Sequence, residues 1–278
     1  GLLGIVRYLA DPHGPDDAGL NVFVISFWRN GFSLLVFLPW LLRHGVGAAR
    51  SRSHGMLVSR AALMTTSSTA MFFSAALLPL AEATAISFTT PLFSIILAMI
   101  FLHEKVGPRR LTALAIGMLG VVVILRPGSA AIDPAAALPL LAALTFGGVV
   151  VLSKALTTND SSEAIGFWLA AYMVPLSLGP ALFYWSWPDW RELPWLFALG
   201  AAAAGNMYFL TRAVRIGDAS QTAPYDFVRL PFVALVGYVF FTQTVDIWVW
   251  LGAAIIVASA LYVTWREARV NAARRPSP

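Results

Sequence analysis

Five consecutive hydroxyl-bearing residues, Thr65 to Thr69, interrupt the otherwise apolar stretch at 56–80. At about 100° per residue, Thr65, Ser68 and Thr69 share one helix face with Phe72. Hydroxyl groups in apolar surroundings either bind a ligand or donate to carbonyls three or four residues earlier in their own helix. The stripe is therefore a candidate binding surface, and the alternative is a bent helix that binds nothing.

Three charged side chains are predicted to lie deep within long apolar stretches: Arg29, Asp226 and Arg229. If these stretches cross a membrane, each charge costs about 2.5–3.5 kcal/mol at the bilayer centre and needs a partner or a watery cavity. Arg29 or Arg229 could bind a carboxylate, and Asp226 an ammonium group or a proton. Alternatively, Asp226 and Arg229, three residues apart on one face, pair with each other, and Arg29 binds backbone carbonyls.

Amide and aromatic side chains complete the candidate site. Asn206 cannot satisfy its amide within its own helix, which points to a partner helix or a cavity. Tyr172 and Tyr225 offer a ring with a polar tip, and Trp28 and Trp168 could line opposite sides. Any one of these rings could equally be core or lipid-facing. Together with the hydroxyls and guanidinium groups they suit a small amphiphilic metabolite, such as an aromatic amino acid with its ring on Trp or Tyr and its carboxylate on Arg.

The composition indicates which elements hold these residues. Of 278 residues, 58% are hydrophobic and only 12% are charged, with a mean hydropathy of +0.73. A soluble domain is about 45–50% apolar and about 25% charged. A soluble enzyme, a nucleic-acid-binding module and a disordered scaffold are therefore excluded. The expected fold class is an all-α integral membrane protein.

Ten apolar stretches separated by polar or Pro/Gly-containing breaks predict ten transmembrane helices. Nine are long enough to cross about 30 Å of hydrocarbon at 1.5 Å per residue. The first is too short, which predicts a first helix whose first half is missing from this sequence. The ten stretches are 1–10, 20–42, 56–80, 83–102, 109–126, 135–157, 163–186, 194–214, 219–241 and 247–265.

The basic residues predict an orientation. If the N-terminus is cytoplasmic, most of the 19 Lys and Arg residues fall in cytoplasmic loops or in the tail after 265. The opposite loops are mainly acidic. Cytoplasmic loops carry the excess of Lys and Arg in membrane proteins, so we expect a multi-pass protein of a bacterial-type inner membrane with both termini inside.

An internal repeat divides the chain. The pair Phe27-Trp28 recurs as Phe167-Trp168, 140 residues later, and the segment 101–106 resembles 240–245. The spacing predicts two five-helix halves, 1–131 and 132–278, and an odd number of helices makes the halves cross the membrane in opposite senses. Inverted repeats of this kind surround the midplane site of secondary transporters; the alternative is a duplication kept only for packing.

Prolines are predicted inside the fourth and ninth helices, which correspond in the two halves. They are Pro91, Pro224 and Pro231. A proline inside a helix removes a backbone hydrogen bond and kinks the helix. We expect Pro91 and Pro224 to act as gating positions that bend during alternating access.

Several segments resemble the drug/metabolite transporter superfamily. The segment 80–104, beginning LAEATAISFTTP, is similar to its helix 4, and 116–128 is similar to its helix 5. The segments 1–9 and 217–224 fit as well, although Gln243 stands where such proteins usually carry an acidic residue. The resemblance is strongest to EamA-type exporters, including exporters of aromatic amino acids. It implies ten helices in two inverted repeats around a central cavity.

Several motifs are missing from the sequence, and their absence argues against particular classes of transporter and enzyme. No nucleotide-binding loop with its lysine occurs, so ATP does not drive this chain by itself. No mid-span glutamate occurs, which argues against a cation/proton antiporter and leaves facilitated export or coupling through Asp226. We expect no enzyme activity, no catalytic residue, no metal and no cofactor. The expected partners are a small-molecule substrate (an amino acid or similar metabolite) and the lipid bilayer, with no nucleic acid and a monomer as the working assumption.

The sequence thus predicts a secondary transporter that exports small metabolites by alternating access. Amino acids, including aromatic ones, are the first expectation for the substrate. The alternative is an exporter of another metabolite class or a multidrug exporter.

Overall fold

The computed structural model describes residues 2–11, 19–44, 51, 53–101, 108–125, 133–156, 162–216 and 229–274. Within these ranges the chain forms eleven α-helices and one short 3-10 helix, with no strand, which confirms the all-α class. The helices are α1 (Leu2–Ala10), α2 (Val22–His44), α3 (His54–Leu77), α4 (Leu80–Ser87), α5 (Thr90–Phe101), α6 (Pro108–Leu125), α7 (Ala137–Leu156), α8 (Ser162–Phe183), α9 (Leu193–Ile216), α10 (Arg229–Phe241) and α11 (Ile247–Arg274).

Four segments in the described part of the chain are long and apolar enough to cross a membrane. The outward surfaces of the helices are apolar too: Leu42 of α2, Phe183 of α8 and Phe240 of α10 are 76%, 86% and 75% exposed. Soluble monomers rarely expose large contiguous apolar patches, so this surface suits lipid. The total of ten spans stays a prediction. The four segments are Val22–His44, Leu80–Phe101, Pro134–Ser153 and Ala164–Phe183.

The predicted fourth helix, 83–102, is wrong as a single helix. The chain forms α4 and α5 instead, with Phe88 and Thr89 between them. Pro91 therefore lies in the first turn of α5, where its missing N–H breaks no bond within that helix. Its absent bond is to the carbonyl of Ser87, four residues earlier, and the Thr90 hydroxyl donates to that carbonyl at 2.8 Å instead.

The closest helix crossing joins α6 to α11. A Cβ atom added to Gly252 would lie 2.6 Å from the carbonyl oxygen of Gly120, and one added to Gly120 would lie 2.8 Å from that of Gly252. Only glycine at both positions allows the two backbones to approach this closely, as small residues do in membrane bundles.

The helices α2, α3, α7 and α8 pack around a shared interior. We call the end of the bundle at which α2 begins and α8 ends the upper end, and the opposite end the lower end. Phe23 of α2 packs against Phe73 of α3 at the upper end, and His54 of α3 packs against Trp168 of α8 at the lower end.

Arg7 fastens α1 to the upper end of α3. Its Nη1 donates to the carbonyl oxygens of Leu78 and Ala75 at 2.8 and 3.2 Å, and its Nε lies 3.7 Å from a carboxylate oxygen of Asp11. The last carbonyls of a helix lack partners within the helix and attract cations. Arg7 therefore holds the junction at which α3 gives way to α4.

Candidate functional site

A cavity of about 360 Å³ lies between α2, α3, α7 and α8, from the middle of α3 toward the upper end. Its volume is at the lower end of the range for small-molecule sites, about 300–1,000 Å³. Most of the lining is apolar, with a few hydroxyl groups. The lining residues are Phe23, Ser26, Ala62, Thr65, Thr66, Thr69, Ala70, Phe73, Leu138, Leu141, Leu176, Ser177 and Pro180.

The hydroxyl-bearing residues 65–69 of α3 have two roles. Some of them line the cavity, and the others form hydrogen bonds within or between helices. Thr65 and Thr69 line the cavity as the sequence predicts, and Thr66 joins them. The Thr69 hydroxyl donates to the hydroxyl of Ser26 on α2, although the distance of 3.4 Å is long. The Thr65 hydroxyl is buried and has no hydrogen-bond partner within the described residues. It is therefore a free polar group at the cavity wall.

Ser67 and Ser68 have different roles. The Ser67 hydroxyl donates to the carbonyl of Ala142 on α7 at 2.8 Å. The Ser68 hydroxyl donates to the carbonyl of Thr65 in its own helix at 3.1 Å, which is the alternative that sequence reasoning left open. Ser68 does not line the cavity.

A chain of hydrogen bonds runs from Arg29 to the cavity wall. Arg29 Nη1 donates to Asn30 Oδ1 at 3.0 Å, and Asn30 Nδ2 donates to Ser177 Oγ at 3.1 Å. Ser177 Oγ in turn donates to the carbonyl of Met173 at 2.7 Å. Asn30 and Ser177 are 2% and 3% exposed, so the chain fixes Ser177 within the wall.

Arg29 and Phe72 themselves lie beside the cavity and do not line it. The Arg29 guanidinium carbon lies 5.6 Å from the centroid of the Phe72 ring, a cation–π contact. Phe72 is only 6% exposed and belongs to a core cluster with residues of α1, α2 and α9. Arg29 is therefore connected to the cavity wall only indirectly, through Asn30 and Ser177.

Aromatic rings close the upper end of the cavity. Phe23, which lines the cavity, meets Phe73 edge-on at 5.0 Å and stacks on Tyr184 at 5.7 Å. Trp28 lies one turn away among Phe27, Trp185 and Trp187.

Trp168 and Tyr172 lie at the lower end. Their rings stack at 5.2 Å, and the Tyr172 hydroxyl lies 2.9 Å from Nδ1 of His54. Trp28 and Trp168 therefore occupy opposite ends of the α2–α8 pair and do not face each other across the cavity. Corresponding positions of two inverted halves are expected to be separated in this way.

The remaining predicted residues do not join the cavity. Asn206 is exposed on α9, so neither a partner helix nor the cavity covers its amide in the described part of the chain. Pro91 is exposed at the start of α5. Tyr225, Pro224 and Asp226 lie outside the described residues, as does the side chain of Arg229.

Arg60 is the residue that sequence reasoning missed. The cluster of basic residues between 43 and 60 placed it in a loop, but α3 begins at His54 and carries Arg60 into the bundle. Arg60 is 4% exposed, and its Nε donates to Ser153 Oγ of α7 at 2.9 Å. The sequence did contain a pattern that could have indicated this position. Arg60, Ser67 and Ser74 are spaced by seven residues, which places them on one helix face, and all three are buried.

The described ranges contain no group of three or more His, Cys, Asp or Glu side chains that could hold a metal ion. The polar groups at the cavity are hydroxyls, and the nearest amide and guanidinium lie behind them. This arrangement can bind an organic molecule through hydrogen bonds and ring contacts.

Comparisons with known proteins place the fold and the family. The sequence profile described as "EamA-like transporter family" matches residues 18–126 and 134–265. A crystal structure with 19% sequence identity superposes with a TM-score of 0.64 over 97% of this chain and 94% of the other; at that identity it supports the fold alone.

Curated relatives are similar over most of their length. The riboflavin transporter of Rhizobium johnstonii is 36% identical over 88% of this chain and 81% of its own. The S-adenosylmethionine uptake transporter of Rickettsia prowazekii is 30% identical over 93% and 88%. The pseudopaline exporter CntI of Pseudomonas aeruginosa is 27% identical over 88% and 86%. None of these three is named for aromatic amino acid export, which the motifs had suggested.

Proposed function

The chain belongs to the EamA-like transporter family, and on that premise we propose that it is a secondary transporter that moves a small ring-bearing metabolite through the cavity between α2, α3, α7 and α8. The family is a multi-span membrane fold of transporters, not of enzymes. The observation that carries the proposal is the cavity itself, which has an apolar wall, three threonines from one helix and two phenylalanine rings.

The cavity chemistry supports a substrate with a planar ring and several hydrogen-bonding groups. The phenylalanine rings offer faces and edges for an aromatic or heteroaromatic system. The free Thr65 hydroxyl and its neighbours offer donors and acceptors. Two relatives are named for riboflavin and S-adenosylmethionine, both of which combine a heteroaromatic ring with polar groups.

Amino acid export is the second candidate. Arg60 is buried and has no carboxylate partner within the described residues. A substrate with an amino acid moiety carries a carboxylate, and a buried guanidinium group without a counter-charge favours one. S-adenosylmethionine also carries this moiety, so the two candidates share part of their chemistry.

The excess of basic residues in the predicted inner loops supports placing the lower end of the bundle and both termini in the cytoplasm. In that orientation the cavity approaches the outer face of a bacterial inner membrane. Two relatives are named for riboflavin and for S-adenosylmethionine uptake, and one for export. We take uptake as the first expectation for the direction of net transport and export as its alternative.

The test is flux into proteoliposomes containing the full chain. We expect saturable uptake of labelled riboflavin, S-adenosylmethionine or phenylalanine without ATP, measured with and without a pH gradient. Ala62→Phe places a ring in the cavity and should reduce flux at least about tenfold. Ala115→Phe is the matched control, because Ala115 is exposed on α6.

Two outcomes contradict the proposal. The first is the absence of saturable flux for every substrate with correctly folded protein. The second is equal flux in wild type and Ala62→Phe, which would place the pathway elsewhere in the bundle.

A further inference from the structure

Arg60 is a buried cation with unused hydrogen-bonding capacity. It is 4% exposed and makes one described hydrogen bond, from Nε to Ser153 Oγ at 2.9 Å. Its Nη1 is buried and has no acceptor within the described residues. A guanidinium group presents five N–H donors and stays charged at any physiological pH, so a neutral hydroxyl leaves its charge uncompensated.

Six carboxylates whose side chains the structure describes lie far from Arg60 along the bundle. Each follows or precedes a helix at the upper end, or lies in the first turn of α4, whereas Arg60 lies two turns from the lower end of α3. Arg7 and Asp11 form an ion pair at the upper end. The six are Asp11, Glu82, Asp133, Asp189, Glu192 and Asp246, whereas the side chains of Glu163 on α8 and Glu267 on α11 lie outside the described residues.

Arg60 also lies between the level of the cavity and the lower face along the axis of α3. The cavity-lining residues Ala62 and Thr65 follow it by about 3 and 7.5 Å along α3. One turn below it, Leu57, Leu156 and Ile165 pack together with Trp168 and Tyr172 against them. A route from the cavity to the lower face along α3 therefore reaches the level of Arg60 before it reaches this apolar cluster.

We propose that Arg60 binds the carboxylate of the transported molecule on its way between the cavity and the lower face. The inference rests on the proposed transport function and assigns the substrate to the carboxylate-bearing metabolites. A carboxylate accepts two parallel N–H bonds from a guanidinium fork and supplies the missing counter-charge. Ser153 holds Nε and leaves Nη1 free to reach the ligand.

The test compares ligands that differ only in the carboxylate. Binding to the purified full chain is measured by titration calorimetry with two pairs: S-adenosylmethionine against its decarboxylated form, and phenylalanine against phenethylamine. We expect the wild type to prefer the carboxylate member of at least one pair by about tenfold or more. Arg60→Gln should abolish that preference, and Arg60→Lys should keep part of it because the charge remains.

Arg43→Gln is the matched control, because Arg43 is exposed at the end of α2 and should behave as wild type. If Arg60→Gln does not give monodisperse protein, Arg60→Lys and Ser153→Ala replace it, each with an expected loss of preference of a few-fold. A merely structural Arg60 would lower the melting temperature and weaken both members of a pair equally.

The inference is overturned if the wild type shows no preference in either pair, including the case in which it binds neither member. It is also overturned if the preference survives in Arg60→Gln, or if it is undiminished in both replacement variants. Flux is measured separately, so a carboxylate preference without flux would refute the transport function and leave the binding role of Arg60 standing.

Discussion

At the scale of single residues, Arg7 shows how a charged side chain is used for structure within this bundle. Its guanidinium group takes up two carbonyls at the end of α3 and lies 5.5 Å from the Phe241 ring of α10. A long basic side chain near a helix end can also reach toward the membrane surface. Arg7 instead donates to carbonyls at the end of α3, which lack partners within their own helix.

Replacing Arg7 by alanine is expected to destabilise the protein by about 1–2 kcal/mol, through loss of hydrogen bonds to the end of α3. In a chain of this size the apparent melting temperature should fall by about 2–4 °C for each kcal/mol. Thermal unfolding of the purified protein measures the change, with the exposed Arg43→Ala as control. An unchanged melting temperature in Arg7→Ala would show that the contact contributes nothing.

The candidate site was partly predictable at this scale. Helical periodicity put Thr65, Ser68, Thr69 and Phe72 on one face of α3, since the period follows from backbone geometry alone. Of these, Thr65 and Thr69 line the cavity and Ser68 and Phe72 do not. The positions of Trp28, Trp168 and Tyr172 depend on which helices pack together, and no local pattern carries that information. Arg60 was missed because it was counted with the basic loop residues, although the predicted stretch 56–80 contains it and α3 begins at His54.

At the scale of elements, the break between α4 and α5 is held by hydroxyl groups. Thr84, Ser87, Thr89 and Thr90 each donate to a carbonyl three or four residues earlier, at 2.7–2.8 Å. A broken helix at membrane depth requires that its freed backbone groups find such partners. Hydropathy could not reveal the break, because the apolar run continues through it.

The fourth helices of the two predicted halves each carry a proline at a matching position. Pro91 lies in the first turn of α5, and Pro231 of α10 follows it at a shift of 140 residues. By this spacing Pro231 is a better counterpart of Pro91 than Pro224 is. The break that precedes Pro91 is of the kind that lines the sites of secondary transporters.

Pro91→Ala is expected to slow substrate exchange several-fold in proteoliposomes. Alanine restores the N–H that can bond the Ser87 carbonyl, so α4 and α5 can join into one stiffer helix. Pro39→Ala is the control, because Pro39 lies inside α2 and is exposed. Exchange at the wild-type rate in Pro91→Ala would show that bending at this break does not limit transport.

At the scale of the whole molecule, the helix pairing follows the order expected of two inverted halves. α6 packs on α11, the fifth helix of one half on the fifth of the other, and α2 packs on α8, the second on the second. The contact of α2 with α9 is matched by that of α8 with α3. The halves 1–131 and 132–278 and their inverted relationship remain predictions.

The pairing also explains why the sequence predicted the elements better than their arrangement. Hydropathy and length identify apolar helices without reference to neighbours. Which helices touch depends on close backbone approaches such as that of Gly120 to Gly252. Neither glycine alone indicates its partner, because the two lie on different helices. The cavity between α2, α3, α7 and α8 is a product of those approaches, so its lining was only partly foreseeable.

The orientation of the molecule determines what the cavity faces, and it can be tested directly because the chain contains no cysteine. Trp190→Cys places one thiol at the upper end, in the turn between α8 and α9, where Trp190 is 71% exposed. Arg43→Cys places one at the lower end, where Arg43 is exposed. Excess basic residues stay in the cytoplasm, so an impermeant maleimide should label position 190 in intact spheroplasts and position 43 only after permeabilisation. The reverse pattern would turn the cavity toward the cytoplasm, contradict the positive-inside argument and make export the first expectation for the direction of transport.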